Sequence, residues 1–177
     1  MDNHSKVFES PKGLPPIFDH DHAINLIPGS IPQNIRPYRY PYVQKSEIEC
    51  IIAEMLEAGI IQPSQSSFSA PVVLVHKKDG SWCMFPDYRD LNKLTIKDKF
   101  PIPVIDELLD ELHGEINFTK LDLHLEYLQI RMKTEDTPKI TFQTHEGHYE
   151  FLIKPFVLPN GPSTFQGLMN SIFKPTL

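Results

Sequence analysis

The sequence predicts an α+β fold, on three observations. A helical stripe of apolar residues spans about Ser46 to Ala58, and another closes the chain from about Ser163 to Phe173. Between them lie segments that alternate like β-strands and reverse through polar turns. Helices and hairpins mixed in this way, without a regular strand–helix alternation, belong to the α+β class.

The 177 residues suit one domain of ordinary size, or one domain and a tail. Apolar residues make up 40% and charged residues 23%, the balance of a globular chain rather than a disordered one. Seventeen Lys and Arg against 23 Asp and Glu give a formal charge of −6, which argues against a simple basic nucleic-acid binder but leaves room for local basic patches. No stretch approaches the ~20 apolar residues of a membrane helix. No basic segment leads into an apolar one at the N-terminus, so a secretory signal is not expected and the location expected is intracellular, in cytoplasm or nucleus. Cys50 and Cys83 are too few for a disulfide framework or a structural zinc site by themselves, and reduced thiols are expected.

Seven of the 17 prolines fall within residues 1–41, so residues 1–44 read as an irregular lead-in that wraps onto the later part of the chain. Its run Asp19-His20-Asp21-His22 has metal-binding residue types, but loop residues near a terminus are the reading adopted. In the first helix, Ser46 and Glu49 have the spacing of a capping box, Ile48, Ile51, Ile52, Met55 and Leu56 share a face, and Gly59 supplies the stop. Residues 71–76 form a strand, Lys77-Lys78-Asp79-Gly80 a turn with the Asp-Gly signal, and Ser81 to Phe85 the returning strand. A second helix is expected over about Val104 to Leu112, behind Pro101 and Pro103, and a strand over 116–123 with Asp122 near its end. Lys139 to Thr144 and Tyr149 to Ile153 read as strands around His145-Glu146-Gly147-His148, which is taken as a polar tip rather than a zinc site.

Charge is uneven. Residues 76–99 carry six cations against four aspartates, and residues 101–126 carry seven acids against Lys120. Basic residues followed by a strand-end carboxylate are an order that suits a phosphate substrate and a metal.

Several ordered blocks carry a specific likeness: IPGSIPQNIRPYRYP, EMLEAGIIQPS, SFSAPVVLVHKKDGSW, DYRDLN, FPIPVIDELLDELHG, FTKLDL, THEGHYEFL and PSTFQGLMNSIF. Over about nine tenths of its length the chain resembles the start of reverse transcriptases from long-terminal-repeat retrotransposons of the Gypsy (Ty3-like) group. The resemblance implies a partial right-hand polymerase, with fingers over 45–113 and part of the palm over 114–177. It also implies copying of an RNA or DNA template-primer from deoxynucleotides, with two divalent ions, normally Mg²⁺, held by three aspartates. By the same resemblance Asp122 is the first catalytic aspartate and metal ligand. Lys77 and Lys78 lie on the hairpin that meets the incoming triphosphate, and Tyr127 stacks under its sugar. Asp87 and Arg89 match a segment near the template, where a buried ion pair explains them equally well. Gln166 is assigned to positioning the template-primer.

Departures from the pattern sit where substrate binds. The Tyr-x-Asp-Asp motif with the second and third aspartates does not occur in these residues. Cys83 stands where the family has a phosphate-binding arginine, Glu126 where a small residue is usual, and Val157 where glycine is usual. Pro86 is expected to weaken its strand. The expectation is a truncated, decayed copy, inactive alone. The alternative is a remnant that binds nucleic acid or pairs with the rest of a polymerase polyprotein.

Overall fold

The structure is a computed structural model, and it describes residues 13–17, 21–99, 109–110, 112–114, 116–117 and 129–173. Most of the helix expected at 104–112 and the strand expected at 116–123 lie outside the described residues, as do Asp122, Glu126 and Tyr127.

Helix α1 (Tyr42–Glu57) starts four residues earlier than the capping-box spacing indicates. Pro41, not Ser46, occupies the N-cap, with φ −57°. Its carbonyl accepts from Lys45 N at 3.1 Å. Ser46 sits inside the helix, and its hydroxyl turns back to Tyr42 O at 3.5 Å. Proline's fixed φ makes it a natural helix entry, so it displaces the weaker serine signal. Ile48 and Ile52 are buried and Ile51 and Met55 pack beside them, whereas Leu56 is 39% exposed. Gly59 ends the helix with φ +69°, as expected, while Ile60 N reaches back to Met55 O at 3.1 Å.

Five strands form one sheet in the order β1-β5-β4-β2-β3. They are β1 (Ile61–Pro63), β2 (Ala70–His76), β3 (Trp82–Pro86), β4 (Thr141–Gln143) and β5 (His148–Phe151). Every pairing is antiparallel except β2–β4, which is parallel with Ala70 opposite Phe142 and Pro71 opposite Gln143. Strand β1 has no counterpart in the sequence pattern, because three residues carry too little periodicity to register. Residues 137–140 form a 3₁₀ turn, so β4 is shorter than the strand expected at 139–144. Pro138 cannot donate to a ladder and favours that turn.

Pro86 does not weaken β3. It lies opposite Val72, and the next residue, Asp87, donates its N–H to Pro71 O at 2.8 Å. Alternate residues point their amides the same way, so position 86 faces the edge of β3 on which no described strand pairs.

The core crosses the sheet and joins distant segments: Ile48, Ile52, Val72, Tyr88, Ile140, Phe142, Phe151 and Ile153 are all buried. Phe142 and Phe151 pack with ring centroids 5.0 Å apart. Helix α2 (Arg89–Leu94), six residues long and without a signal in the sequence pattern, comes after β3 and buries Leu91. Helix α3 (Gly161–Phe173) is the last described element. It buries Leu168, but Ile172 and Phe173 remain 48% and 40% exposed. Asn160, just before α3, is buried. Its side chain accepts from Asp98 N at 3.1 Å and donates to Ile96 O at 2.9 Å.

The lead-in does wrap onto the sheet and helices. Asn34 bridges Ser69, Leu26 bridges Thr95 and His22 bridges Met132. Ile24 N donates to Asp136 Oδ2 at 2.9 Å, and Asp136 also pairs with Lys139. His22 is not a loop residue in solvent. It is 2% exposed, with Nδ1 2.8 Å from Thr164 Oγ1. Burial, reinforced by the nearby Lys154 charge and only partly opposed by Asp136, lowers its pKa from 6.5 to about 4.

This tie makes stability sensitive to two residues. Asp136→Ala leaves the Ile24 amide without its acceptor and removes the carboxylate that answers Lys139, which keeps only the Ile24 carbonyl, and we expect a loss of about 2–3 kcal/mol, read as a lower urea midpoint at unchanged slope. Because folding depresses the pKa of His22, the unfolded chain binds the extra proton between about 4 and 6.5. Its contribution is complete above pH 6.5 and is lost as pH falls towards 4, to a limit of about 3 kcal/mol. The stability difference between pH 7.5 and pH 4.5 should therefore shrink by about that amount in His22→Gln; an unchanged difference would show that His22 does not couple folding to pH.

Candidate nucleotide and template interface

The β2–β3 hairpin is an arm whose base is in the core and whose tip is in solvent. Val72 and Met84 are buried, whereas Val73 and Val75 face outward. Near the tip, His76 and Trp82 meet edge to face with ring centroids 4.7 Å apart, a cross-strand pair that stiffens the arm. Lys77 N donates to Ser81 O at 2.8 Å, which leaves Lys78-Asp79-Gly80 as a three-residue loop. Gly80 has φ +88°, the left-handed conformation such a loop needs at its last position. Asp79 accepts from Ser81 Oγ at 2.6 Å and from Ser81 N at 2.9 Å, and these hydrogen bonds lower its pKa.

Lys77 and Lys78 are exposed, and neither forms an ion pair among the described residues. Cys83 is half-buried directly opposite Val75. Residues opposite each other, or two apart on a strand, share a face, so position 83 lies on the same face as Lys77. That placement makes the identity of residue 83 matter to anything the arm touches.

Where β3 leaves the sheet, Tyr88 is driven inward. It is 1% exposed, and its hydroxyl donates to Ile140 O at 2.6 Å. Burial raises its pKa well above 10. With Tyr88 pinned, Asp87 and Arg89 on either side turn outward and meet. Arg89 Nη2 lies 2.6 Å from Asp87 Oδ2, and Nε lies 2.8 Å from Oδ1. Tyr38, from the lead-in, donates to the same carboxylate at 3.0 Å. These donors, Arg89 foremost, hold Asp87 down at about 2. The pair is not buried: the Asp87 side chain is 11% exposed and that of Arg89 is 78% exposed.

A concavity of about 430 Å³ opens beside the pair, between Ile35, Tyr38 and Pro71 on one side and Arg89, Asp90 and Lys93 on the other. Lys93 Nζ lies 2.6 Å from Asp90 Oδ1, so both cations of this surface are matched by neighbouring aspartates. The tip of the arm carries positive charge ready for an anion, whereas the concavity is electrically balanced and must release Arg89 or Lys93 to bind one.

Gln166 lies on α3, where its amide donates to Asn170 Oδ1 at 2.9 Å; that contact is within its own helix and does not reach Asp87 or Arg89. Asp122 and Tyr127 fall outside the described residues. Val157 sits in a turn, and its carbonyl accepts from Asn92 Nδ2 at 3.0 Å. Tyr38 is a site residue that sequence reasoning misses. Its partner lies 49 residues away, and the only local signal is the aromatic RPYRYP run. No helix of the described residues is long and apolar enough to cross a membrane.

Residues 75–177 match the family model described as reverse transcriptase (RNA-dependent DNA polymerase). The chain is 43% identical over 146 residues to the retrovirus-related Pol polyprotein from transposon 297 of Drosophila melanogaster, covering 78% of this chain and 14% of that polyprotein. It is 36% identical to the transposon Tf2-3 polyprotein of Schizosaccharomyces pombe, covering 78% of this chain and 10% of that one. In fold it is similar to a foamy viral protease-reverse transcriptase solved in complex with an RNA/DNA hybrid, with TM-score 0.73 and 20% identity over 93% of this chain and 22% of that one. The chain thus spans about a seventh or less of the length of these polyproteins. With the DNA-polymerase family model covering more than half of its residues, and its curated relatives drawn from transposons, the chain belongs to the reverse transcriptase family, in its Gypsy (Ty3-like) retrotransposon group.

Proposed function

We propose that these residues form the nucleotide- and template-contacting part of a retrotransposon RNA-directed DNA polymerase. The observation that carries the reading is the arm: two lysines with no ion-pair partner among the described residues, held in solvent by a hairpin rooted in the core. Lys77 and Lys78 meet the triphosphate of an incoming deoxynucleotide as charge-assisted donors. The Tyr38–Asp87–Arg89 surface lies along the template, Gln166 supports the template-primer, and Tyr127 stacks beneath the nucleotide sugar. Residues 45–113 are the fingers and residues 114–177 enter the palm. The β4–β5 hairpin, although beyond residue 113, belongs to the same sheet as β1, β2 and β3.

The metal in this reading is Mg²⁺, with Asp122 as its ligand. Hard Mg²⁺ takes oxygen ligands in near-octahedral geometry. Among the described residues the one cluster of three metal-capable side chains contains a histidine, so they do not provide such a site. Asp122 is the one residue here that matches the family's three aspartates, and a single carboxylate cannot hold two ions ~4 Å apart. Nucleotidyl transfer therefore needs carboxylates from outside this segment, and a polypeptide of these 177 residues binds without polymerising. Its partners are RNA or DNA template-primer, deoxynucleotides and the rest of a polymerase polyprotein, and its location is intracellular.

Three experiments test this. Lys77→Ala/Lys78→Ala should weaken deoxynucleotide binding about 10- to 100-fold, measured by fluorescence titration in EDTA, while stability changes by no more than about 0.5 kcal/mol because both residues are at an exposed tip. Unaltered affinity would remove the arm from the site. Cys83→Arg should strengthen the same binding by adding a guanidinium to the face that carries Lys77. Primer extension with Mg²⁺ or Mn²⁺ should give no templated incorporation, and any incorporation would overturn the requirement for outside carboxylates.

A further inference from the structure

A second cluster of chemically capable side chains lies away from the lysine arm. Glu49 is exposed on α1, beside buried Ile48. His145 and Glu146 are residues of the β4–β5 turn. Helix α1 leads directly through Gly59 into β1, and β1 pairs with β5, so the start of β5 and its turn are carried along the sheet beside the helix. The consequence is a contact across 96 residues: His145 Nε2 donates to Glu49 Oε1 at 2.9 Å. Glu146 completes the group, and one ligand atom from each of the three residues lies within 4.8 Å of the others.

The turn has little freedom. Thr144 N donates to Gly147 O at 2.9 Å, and Thr144 Oγ1 accepts from the amides of Glu146 and Gly147 at 3.2 and 3.3 Å. The supporting helix is fixed by Ile48 and Ile52, both buried in the core. The three donors thus come from two rigid elements, and only their exposed side-chain ends must adjust. Tetrahedral zinc with bonds of about 2.0–2.2 Å needs donors about 3.4 Å apart, so the His145–Glu49 pair opens by about 0.5 Å and the wider separations, at most 4.8 Å, close by up to about 1.4 Å, changes that rotamer shifts can supply.

The donor set also selects the ion. Imidazole and carboxylate are both donor types that Zn²⁺ accepts, and three protein ligands leave a fourth position for water. A nitrogen donor disfavours Mg²⁺ and Ca²⁺, which prefer oxygen. Without a metal, Glu49 has a hydrogen bond from His145 while Glu146 adds a second carboxylate nearby; a dication neutralises both carboxylates.

We propose that Glu49, His145 and Glu146 form a surface site for Zn²⁺ that staples α1 to the β4–β5 turn. The site is independent of the nucleotide reading. It uses none of the same residues, and its occupancy does not require polymerase chemistry. Cys50 is the neighbouring group that could compete, but its Sγ points along the helix to Glu54 Oε1, 3.9 Å away.

The test is isothermal titration of the whole 177-residue chain with zinc chloride, together with thermal melts and the visible spectrum of the Co²⁺ form. One ion per chain should bind, the melting temperature should rise, and Co²⁺ should give d–d bands without a thiolate charge-transfer band. His145→Gln should weaken binding about tenfold or more, and Glu49→Gln/Glu146→Gln should remove it, with unchanged far-UV circular dichroism because all three side chains are on the surface. Cys50→Ser should bind like the parent. Absence of saturable binding, parental affinity in His145→Gln, or a thiolate band that disappears in Cys50→Ser would each overturn the proposal.

Discussion

Two residue pairs of parallel ladder, Ala70 with Phe142 and Pro71 with Gln143, hold together parts of the chain more than 70 residues apart. Their formation cannot be local, because parallel strands need a long connection. Everything around them depends on that register. Ser69, just before β2, exchanges hydrogen bonds with the lead-in at Gln33 and Ile35, and its hydroxyl reaches Gln143 at 3.3 Å. Just before β4, Ile140 provides the carbonyl that receives the Tyr88 hydroxyl. Moving the ladder by one residue would turn Phe142 out of the core and separate Tyr88 from its acceptor.

That arrangement sorts the charges of the molecule. Tyr88 is pinned inward, so its neighbours Asp87 and Arg89 are thrown to the surface and find each other. On the arm beyond β2, Lys77 and Lys78 form no ion pair among the described residues and are exposed. A basic stretch that looks uniform along the sequence is therefore two electrostatic environments in space, one balanced and one open. The Arg89–Asp87 pair is exposed on the Arg89 side alone, so releasing Arg89 to a phosphate would leave the Asp87 carboxylate with Tyr38 and the Arg89 amide as its donors.

The substitutions that distinguish this chain from the family pattern also divide by place. Pro86 costs the β2–β3 ladder no hydrogen bond, because its missing amide faces away from β2. Val157 is accommodated in a turn whose carbonyl is held by Asn92. Cys83 is of a different kind. It sits within β3 opposite Val75, half-buried on the face shared with Lys77, so a change there acts on that face rather than on the core.

What the sequence determined by itself was short in range. The β2–β3 hairpin was legible because Asp-Gly and alternating valines act within a few residues, as was the end of α1 at Gly59. The α3 stripe and the identity of the family were legible for the same reason, each resting on contiguous blocks. The tertiary structure decided what depends on partners far along the chain. It replaced Ser46 with Pro41 as the start of α1, buried His22 in a segment that read as loop, drew Tyr38 to Asp87, and set His145 against Glu49. The Pro41 entry is local, in proline's fixed φ, but the other three contacts join residues far apart in the sequence. Each depends on the sheet order, which is fixed by burying Phe142, Phe151 and Ile153 with Ile48 and Val72 in one core, and a burial energy shared over the whole chain is not encoded in any window of it.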